Sequence, residues 1–101
     1  MITRQDLDPG YQAVQSMHAL RQFTEEHPEI DREWFEVSNY LGLLSVASEV
    51  ELQNLMELAT RQDIKFSIFR EPDIDNQITA IALAPGAKAK KLCSRLPLAL
   101  K

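Results

Sequence analysis

Between Tyr40 and Leu83 three short apolar runs are separated by one amphipathic stretch and one polar loop. Tyr40–Val46, Ile64–Phe69 and Ile78–Leu83 all have strand length and are rich in Ile, Leu, Val and Phe. After the first run, Ser48 and Glu51 spell a capping box, Ser-x-x-Glu. Leu52, Leu55, Met56 and Ala59 then recur at helical spacing to about Arg61. This strand–helix–strand unit predicts a parallel pair of strands joined by a right-handed crossover. Pro85 and Gly86 end the last run, and Ala87–Arg95 predicts a short helix stopped near Pro97.

Upstream, Asp6-Leu7-Asp8-Pro9-Gly10 has turn composition, and 2–5 leaves room only for a short, clipped edge strand. Tyr11 to Glu26 predicts a helix with Ala13, Val14, Met17, Leu20 and Arg21 at spacings of three and four. Ile30–Phe35 predicts a short helix or turn that packs Trp34 and Phe35 as an apolar plug. Strands alternating with helices predict an α/β sandwich around a mixed sheet.

The 101 residues fit one domain, 1–101, and with 45% hydrophobic residues and a net charge of −4 the chain can offset its ordering entropy. No apolar run is long enough to span a membrane. Met1–Asp8 has no apolar h-region, which argues against a signal peptide. One cysteine, Cys93, cannot form an internal disulfide, and a reducing cytoplasm is the simplest expectation. Charge is unevenly spread: residues 1–86 carry −9 and residues 87–101 carry +5, with Lys88, Lys90, Lys91, Arg95 and Lys101 supplying the bases. Two readings fit this tail, a solvated helix face and a phosphate-facing patch.

Two groups of residues have chemical potential. Tyr11, Gln15 and His18 fall at i, i+4 and i+7 on the first helix, one stripe that begins at the helix N-terminus. A phenol, an amide and an imidazole in line there can hold a phosphate or a carbonyl oxygen; the plainer alternative for His18 is a half-buried, hydrogen-bonded side chain. The loop Arg70–Gln77 joins two strands and holds Glu71, Asp73, Asp75 and Asn76 beside one arginine. It is either a ligand loop at strand ends or a solvating hairpin. Its alternating acids lack the glycine and distal glutamate of a calcium-binding loop. The chain has no Gly-rich phosphate loop, nucleophile elbow or zinc spacing.

In order and spacing, these segments resemble the type-2 peptidyl-tRNA hydrolases over nearly the whole chain. Arg4-Gln5-Asp6-Leu7 is similar to the family's Arg-x-Asp-Leu. Gly10 to Ala19 is similar to its helix Gly-Lys-x-Ala-x-Gln-x-x-His-Ala, Glu71-Pro72-Asp73 to its Asp-Ala-Gly loop, and Thr79 to Pro85 to its last strand. The resemblance implies a three-layer sandwich, a mixed four-stranded sheet with helices on both faces, often a homodimer. It also implies hydrolysis of the ester joining a peptide to tRNA, with no metal or other cofactor. By position, Gln15, His18, Glu71 and Thr79 would be catalytic. Tyr11, Asp73, Asn76, Lys88, Lys90 and Lys91 would contact substrate, peptidyl-tRNA. Tyr11 stands at the family's lysine, Glu71 at its aspartate and Asp73 at its glycine. A phenol brings no positive charge to a developing oxyanion, so a binding module for RNA ends, a nucleotide or a protein is the second functional expectation.

Overall fold

The Asp-Pro-Gly turn sends a three-residue strand, β1 (Ile2–Arg4), directly into the longest helix, α1 (Pro9–Glu26). The computed structural model describes residues 1–100; Lys101, one of the five C-terminal bases, lies outside them. α1 begins two residues earlier than the apolar spacing predicts, because Pro9 fits the first helical turn, where its missing N–H costs nothing. Pro28 opens α2 (Pro28–Val37), followed by β2 (Leu44–Val46) and α3 (Glu49–Arg61). β3 (Phe66–Glu71), a 3-10 turn (Pro72–Ile74), β4 (Gln77–Leu83) and α4 (Ala87–Leu92) complete the order.

The four strands form one mixed sheet in the order β2-β1-β4-β3, the middle layer of an α/β three-layer sandwich. β1 is parallel to β2 and antiparallel to β4, and β4 is antiparallel to β3. Two expectations are corrected here. The unit around α3 does not make a parallel pair, since β2 and β3 lie at opposite edges with β1 and β4 between them. The opening strand is no edge either: all three of its residues are buried, and it is flanked on both sides. β1 and the almost wholly buried β4 take the centre, leaving β2 and the half-exposed β3 outside. The C-terminal segment covers the β2 edge, where Ser45 N–H donates to Pro97 O and Ala99 N–H to Leu43 O.

The two clusters that pack the sheet differ in kind. On the α3 side, Ile2, Val46, Ile78 and Ile81 meet Leu52 and Leu55, with Leu92, Cys93 and Leu96 against the margin. On the α1 side, Ala80 and Ala82 meet Ala19 and Phe23. Here α1 buries Gln12, Gln15, Ser16, Ala19 and Phe23, whereas Val14 and Met17, members of the expected apolar stripe, are exposed. Small residues on both partners suit close approach of helix and sheet, and that approach decides which face is buried.

Three local expectations also change. α2 buries no residue: Phe35 is exposed and Trp34 half-buried, its indole N–H donating to Tyr40 O at 2.8 Å, so the two form no core plug. Ser48 is the N-cap of α3 but makes no side-chain capping bond. The first apolar run is strand only from Leu44, and β3 starts at Phe66 and continues through Glu71.

Candidate active site

Tyr11 and Gln15 lie one helical turn apart on α1, and both reach the last residue of β3. The Tyr11 hydroxyl donates to Glu71 Oε1 at 3.2 Å, and the Gln15 amide N–H donates to the same oxygen at 3.3 Å. Glu71 Oε2 takes no donor among the described residues. The Gln15 carbonyl oxygen faces the other way and accepts from the Thr79 hydroxyl at 2.5 Å. Three elements thus converge on one polar chain: Thr79 on β4, Gln15 and Tyr11 on α1, Glu71 on β3. Gln15 and Thr79 are 1% and 0% exposed, so the inner half is fixed away from water. Glu71 is half-buried and opens the outer half to solvent.

Thr79 reaches this face through a bulge. Phe69 pairs with Ala80 and Arg70 with Ile78, so Thr79 is an extra residue on β4 with no partner on β3. Strict alternation from Ile81 would aim Thr79 at the α3 side, yet it bonds to α1. Ile78 and Ile81 are an odd number of residues apart but share one cluster, which a strand of period two cannot do without a bulge.

His18 continues the stripe but makes no hydrogen bond to the carboxylate. Its ring stacks on Phe69, centroids 4.4 Å apart and planes 10° from parallel, and its outer side is exposed. Phe69 is a site residue that the apolar-run reading treated only as strand core. The half-buried hydrogen-bonded histidine fits His27 better, whose Nε2 lies 3.3 Å from Phe66 O. Desolvation, then the hydrogen bond to Glu71 and the carboxylates of Glu71 and Asp73, hold the Tyr11 phenol above the ordinary tyrosine range. It is a neutral donor at pH 7.

The loop residues lie around this centre. Asp73 sits exposed in the 3-10 turn. Asn76 is exposed at φ 58°, where asparagine is tolerated, and its N–H donates to Glu71 O at 3.0 Å. The lysines are elsewhere. α4 follows the end of β4 remote from Thr79, and Lys88 Nζ donates to Gln62 O at the end of α3. Glu71 pairs with Gln77 at one end of β4, and α4 with Lys88, Lys90 and Lys91 follows the other end. The structure brings together Tyr11, Gln15, Glu71 and Thr79, with His18, Asp73 and Asn76 around them. It does not bring in α4.

Among the described residues no three of His, Cys, Asp and Glu gather in a metal-holding group, and no helix is long and apolar enough to cross a membrane. No match is found among curated proteins. A family model, peptidyl-tRNA hydrolase PTH2, matches residues 1–98. The motifs from Arg4 to Pro85 all fall inside that match, and the chain belongs to the type-2 peptidyl-tRNA hydrolase family.

Proposed function

We propose that the chain is one domain, 1–101, that hydrolyses the ester between a peptide and tRNA, with Glu71 as the general base. The observation that carries this reading is the buried Thr79–Gln15 bond, which aims the Gln15 amide at a carboxylate whose second oxygen is uncommitted. In this mechanism Glu71 Oε2 takes a proton from a water, and the resulting hydroxide attacks the ester carbonyl. The bond between the carbonyl carbon and the ribose oxygen then breaks, and the leaving ribose oxygen takes the proton held by Glu71, which returns to its carboxylate form. The Tyr11 hydroxyl and the Gln15 amide are the donors at hand for the developing oxyanion, at the cost of releasing Glu71. His18 on Phe69 extends a flat surface from the site, suited to stacking a base of the tRNA end. Lys88, Lys90 and Lys91 would hold backbone phosphates further along the RNA, so binding weakens steeply with salt.

One observation favours a second reading, binding without turnover. Tyr11 stands at the family's lysine and donates to Glu71, so the position has a hydrogen bond but no positive charge. A neutral donor stabilises a developing oxyanion less than a cation does, so turnover is weakened while binding can persist.

Incubation of the purified protein with a model peptidyl-tRNA, following release of free tRNA, tests both readings. Hydrolysis by wild type, lost in Glu71→Gln by on the order of 10²-fold or more, supports the enzyme. Silence in wild type with hydrolysis gained in Tyr11→Lys supports the binding module.

We further propose that the chain works in the cytoplasm as a homodimer. Supporting the dimer is a mainly apolar groove of about 640 Å³ at the sheet end remote from Glu71, lined by Leu20, Phe23, Trp34, Tyr40 and Leu41 among others, with Asp31 and Lys90 also on its wall. A mainly apolar contact between two copies there is far less sensitive to salt than RNA binding. Light scattering in low and high salt, giving twice the monomer mass in both, is the expected result.

A further inference from the structure

The bulge that aims Thr79 at Gln15 leaves Ile78 paired with Arg70 of β3, and the backbone N–H and C=O of Ile78 are held by two side chains outside the site. Pairing of β1 with β4 ends at Thr3 opposite Ala80. Beyond it, the Ile78 N–H donates to Glu49 Oε2 at 2.7 Å, and the Ile78 C=O accepts from Arg4 Nη1 at 3.1 Å. Arg4 Nη1 also donates to Gln77 Oε1 at 2.9 Å, and Gln77 is the residue paired with Glu71 across the hairpin. The other face of the guanidinium is clamped by Asp6, with Nε to Oδ1 at 3.0 Å and Nη2 to Oδ2 at 2.9 Å. Arg4 is only 7% exposed. A buried arginine this fully committed has one arrangement available to it.

We propose that Arg4 and Glu49 are positioning residues for the site. They hold the Ile78–Thr79 bulge open, and through Thr79 they fix the direction of the Gln15 amide towards Glu71. Neither touches the carboxylate, and Glu49 comes from α3, the helix on the opposite side of the sheet. The reasoning is one of accounting. A buried backbone N–H and C=O must find partners. With Glu49 and Arg4 in place the bulged form satisfies both groups of Ile78. Without them, a regular ladder competes, and in that ladder Thr79 turns towards Ile81's side and Gln15 Oε1 loses its donor. Gln15 is then free to turn its carbonyl oxygen to the carboxylate, the wrong group for donation. The catalytic half of this inference rests on the hydrolase reading; the geometric half does not.

Three variants separate the two halves. Glu49→Ala removes the acceptor, Glu49→Gln keeps an acceptor oxygen at the same reach, and Glu51→Ala removes an exposed acid from the same helical turn. The geometric readout is the Gln15 side-chain amide signal and its through-space cross-peak to Thr79 in isotope-labelled protein. We expect the cross-peak to vanish in Glu49→Ala and persist in Glu49→Gln and Glu51→Ala. On peptidyl-tRNA, Glu49→Ala should lower kcat on the order of 10²-fold, as for a small misplacement of a reacting group, with KM unchanged and Glu49→Gln rescuing it. If Glu49→Ala fails to fold, Arg4→Lys takes its place, keeping the charge but losing the fork. A cross-peak intact in Glu49→Ala, or lost with kcat unchanged, overturns the proposal. If wild type releases no tRNA, the hydrolase reading fails and the amide signals alone decide this one.

Discussion

The two sides of the sheet are built on opposite principles. On the α3 side, Ile2, Val46, Leu52, Leu55, Ile78 and Ile81 interlock as branched aliphatics. On the α1 side the aliphatic part shrinks to Ala19, Phe23, Ala80 and Ala82, and much of the buried volume is polar: Thr3, Gln12, Gln15, Ser16, Ser67 and Thr79. None of the buried side-chain polar atoms among the described residues is left without a partner. Apolar area is non-directional and tolerates small shifts of one element against another. A hydrogen-bonded network is directional and permits one arrangement. The α3 side therefore supplies stability, and the α1 side holds Gln15 and Glu71 in a single orientation.

The largest expected effect tests the first half of that division. Leu52 is 0% exposed at the centre of the aliphatic cluster. Leu52→Ala should cost about 2–5 kcal/mol of stability, read as a lower denaturation midpoint in urea. Hydrolysis per folded molecule, measured well below the midpoint, should stay unchanged. A loss of kcat in the folded protein would break the comparison, because it would place the site under control of the aliphatic packing.

The same division explains what could be read in the sequence. The elements from 44 onward were legible because the α3 side obeys apolar periodicity: Leu52, Leu55 and Ala59 are both the expected and the observed buried positions. The buried face of α1 was not legible in this way. Val14 and Met17 are the apolar residues, yet Gln12 and Gln15 are buried, because partners wait for them in Leu7 O and the Thr79 hydroxyl. Hydropathy registers no hydrogen-bond partner, whether near in sequence like Leu7 or distant like Thr79. Strand order failed for the same reason, since pairing of β1 with β4 is a contact between the two ends of the chain. Gln15, His18, Glu71 and Thr79 came from motif order, and the structure brings Gln15, Glu71 and Thr79 into one hydrogen-bonded chain with His18 beside it. Phe69 and Glu49 lacked a local signal, and Arg4 was legible only as the start of the Arg-x-Asp-Leu motif. The odd spacing of Ile78 and Ile81 points to the bulge only once both are seen in one cluster.

The next largest effect tests the polar side. Thr79→Val keeps the shape and removes the one donor to Gln15 Oε1. An acceptor buried without a partner costs about 1–3 kcal/mol, so stability should fall less than in Leu52→Ala. Activity should respond in the opposite order, with kcat falling in Thr79→Val and recovering in Thr79→Ser, which restores the hydroxyl. Thr79→Val with full kcat would mean that the Gln15 orientation does not matter to turnover.

The smallest expected effect concerns acid. The hydrogen bonds from Ser67, first, and Gln22 hold the Glu26 carboxyl below the ordinary glutamate range. Ser67 Oγ donates to Glu26 Oε1 at 2.6 Å, joining α1 to β3 on the polar side. The Arg4 guanidinium does the same for Asp6 at the end of β1. A carboxyl whose folded value lies below its unfolded value, about 4 for these side chains, stabilises the fold above that unfolded value. The contribution is lost as pH falls through the folded one. Stability should then decline from about pH 5 downward, and Glu26→Gln and Asp6→Asn should each flatten the decline. Asp6 is the partly exposed member of its pair with the buried Arg4, so solvent screening keeps its share of the change to about 1 kcal/mol or less. Leu52→Ala provides the contrast: aliphatic packing has no proton to bind, so its stability curve against pH should drop as a whole and keep its slope. If Leu52→Ala changed the slope as much as Glu26→Gln does, the acid response would belong to the molecule as a whole, and the two sides of the sheet would not be separable in function.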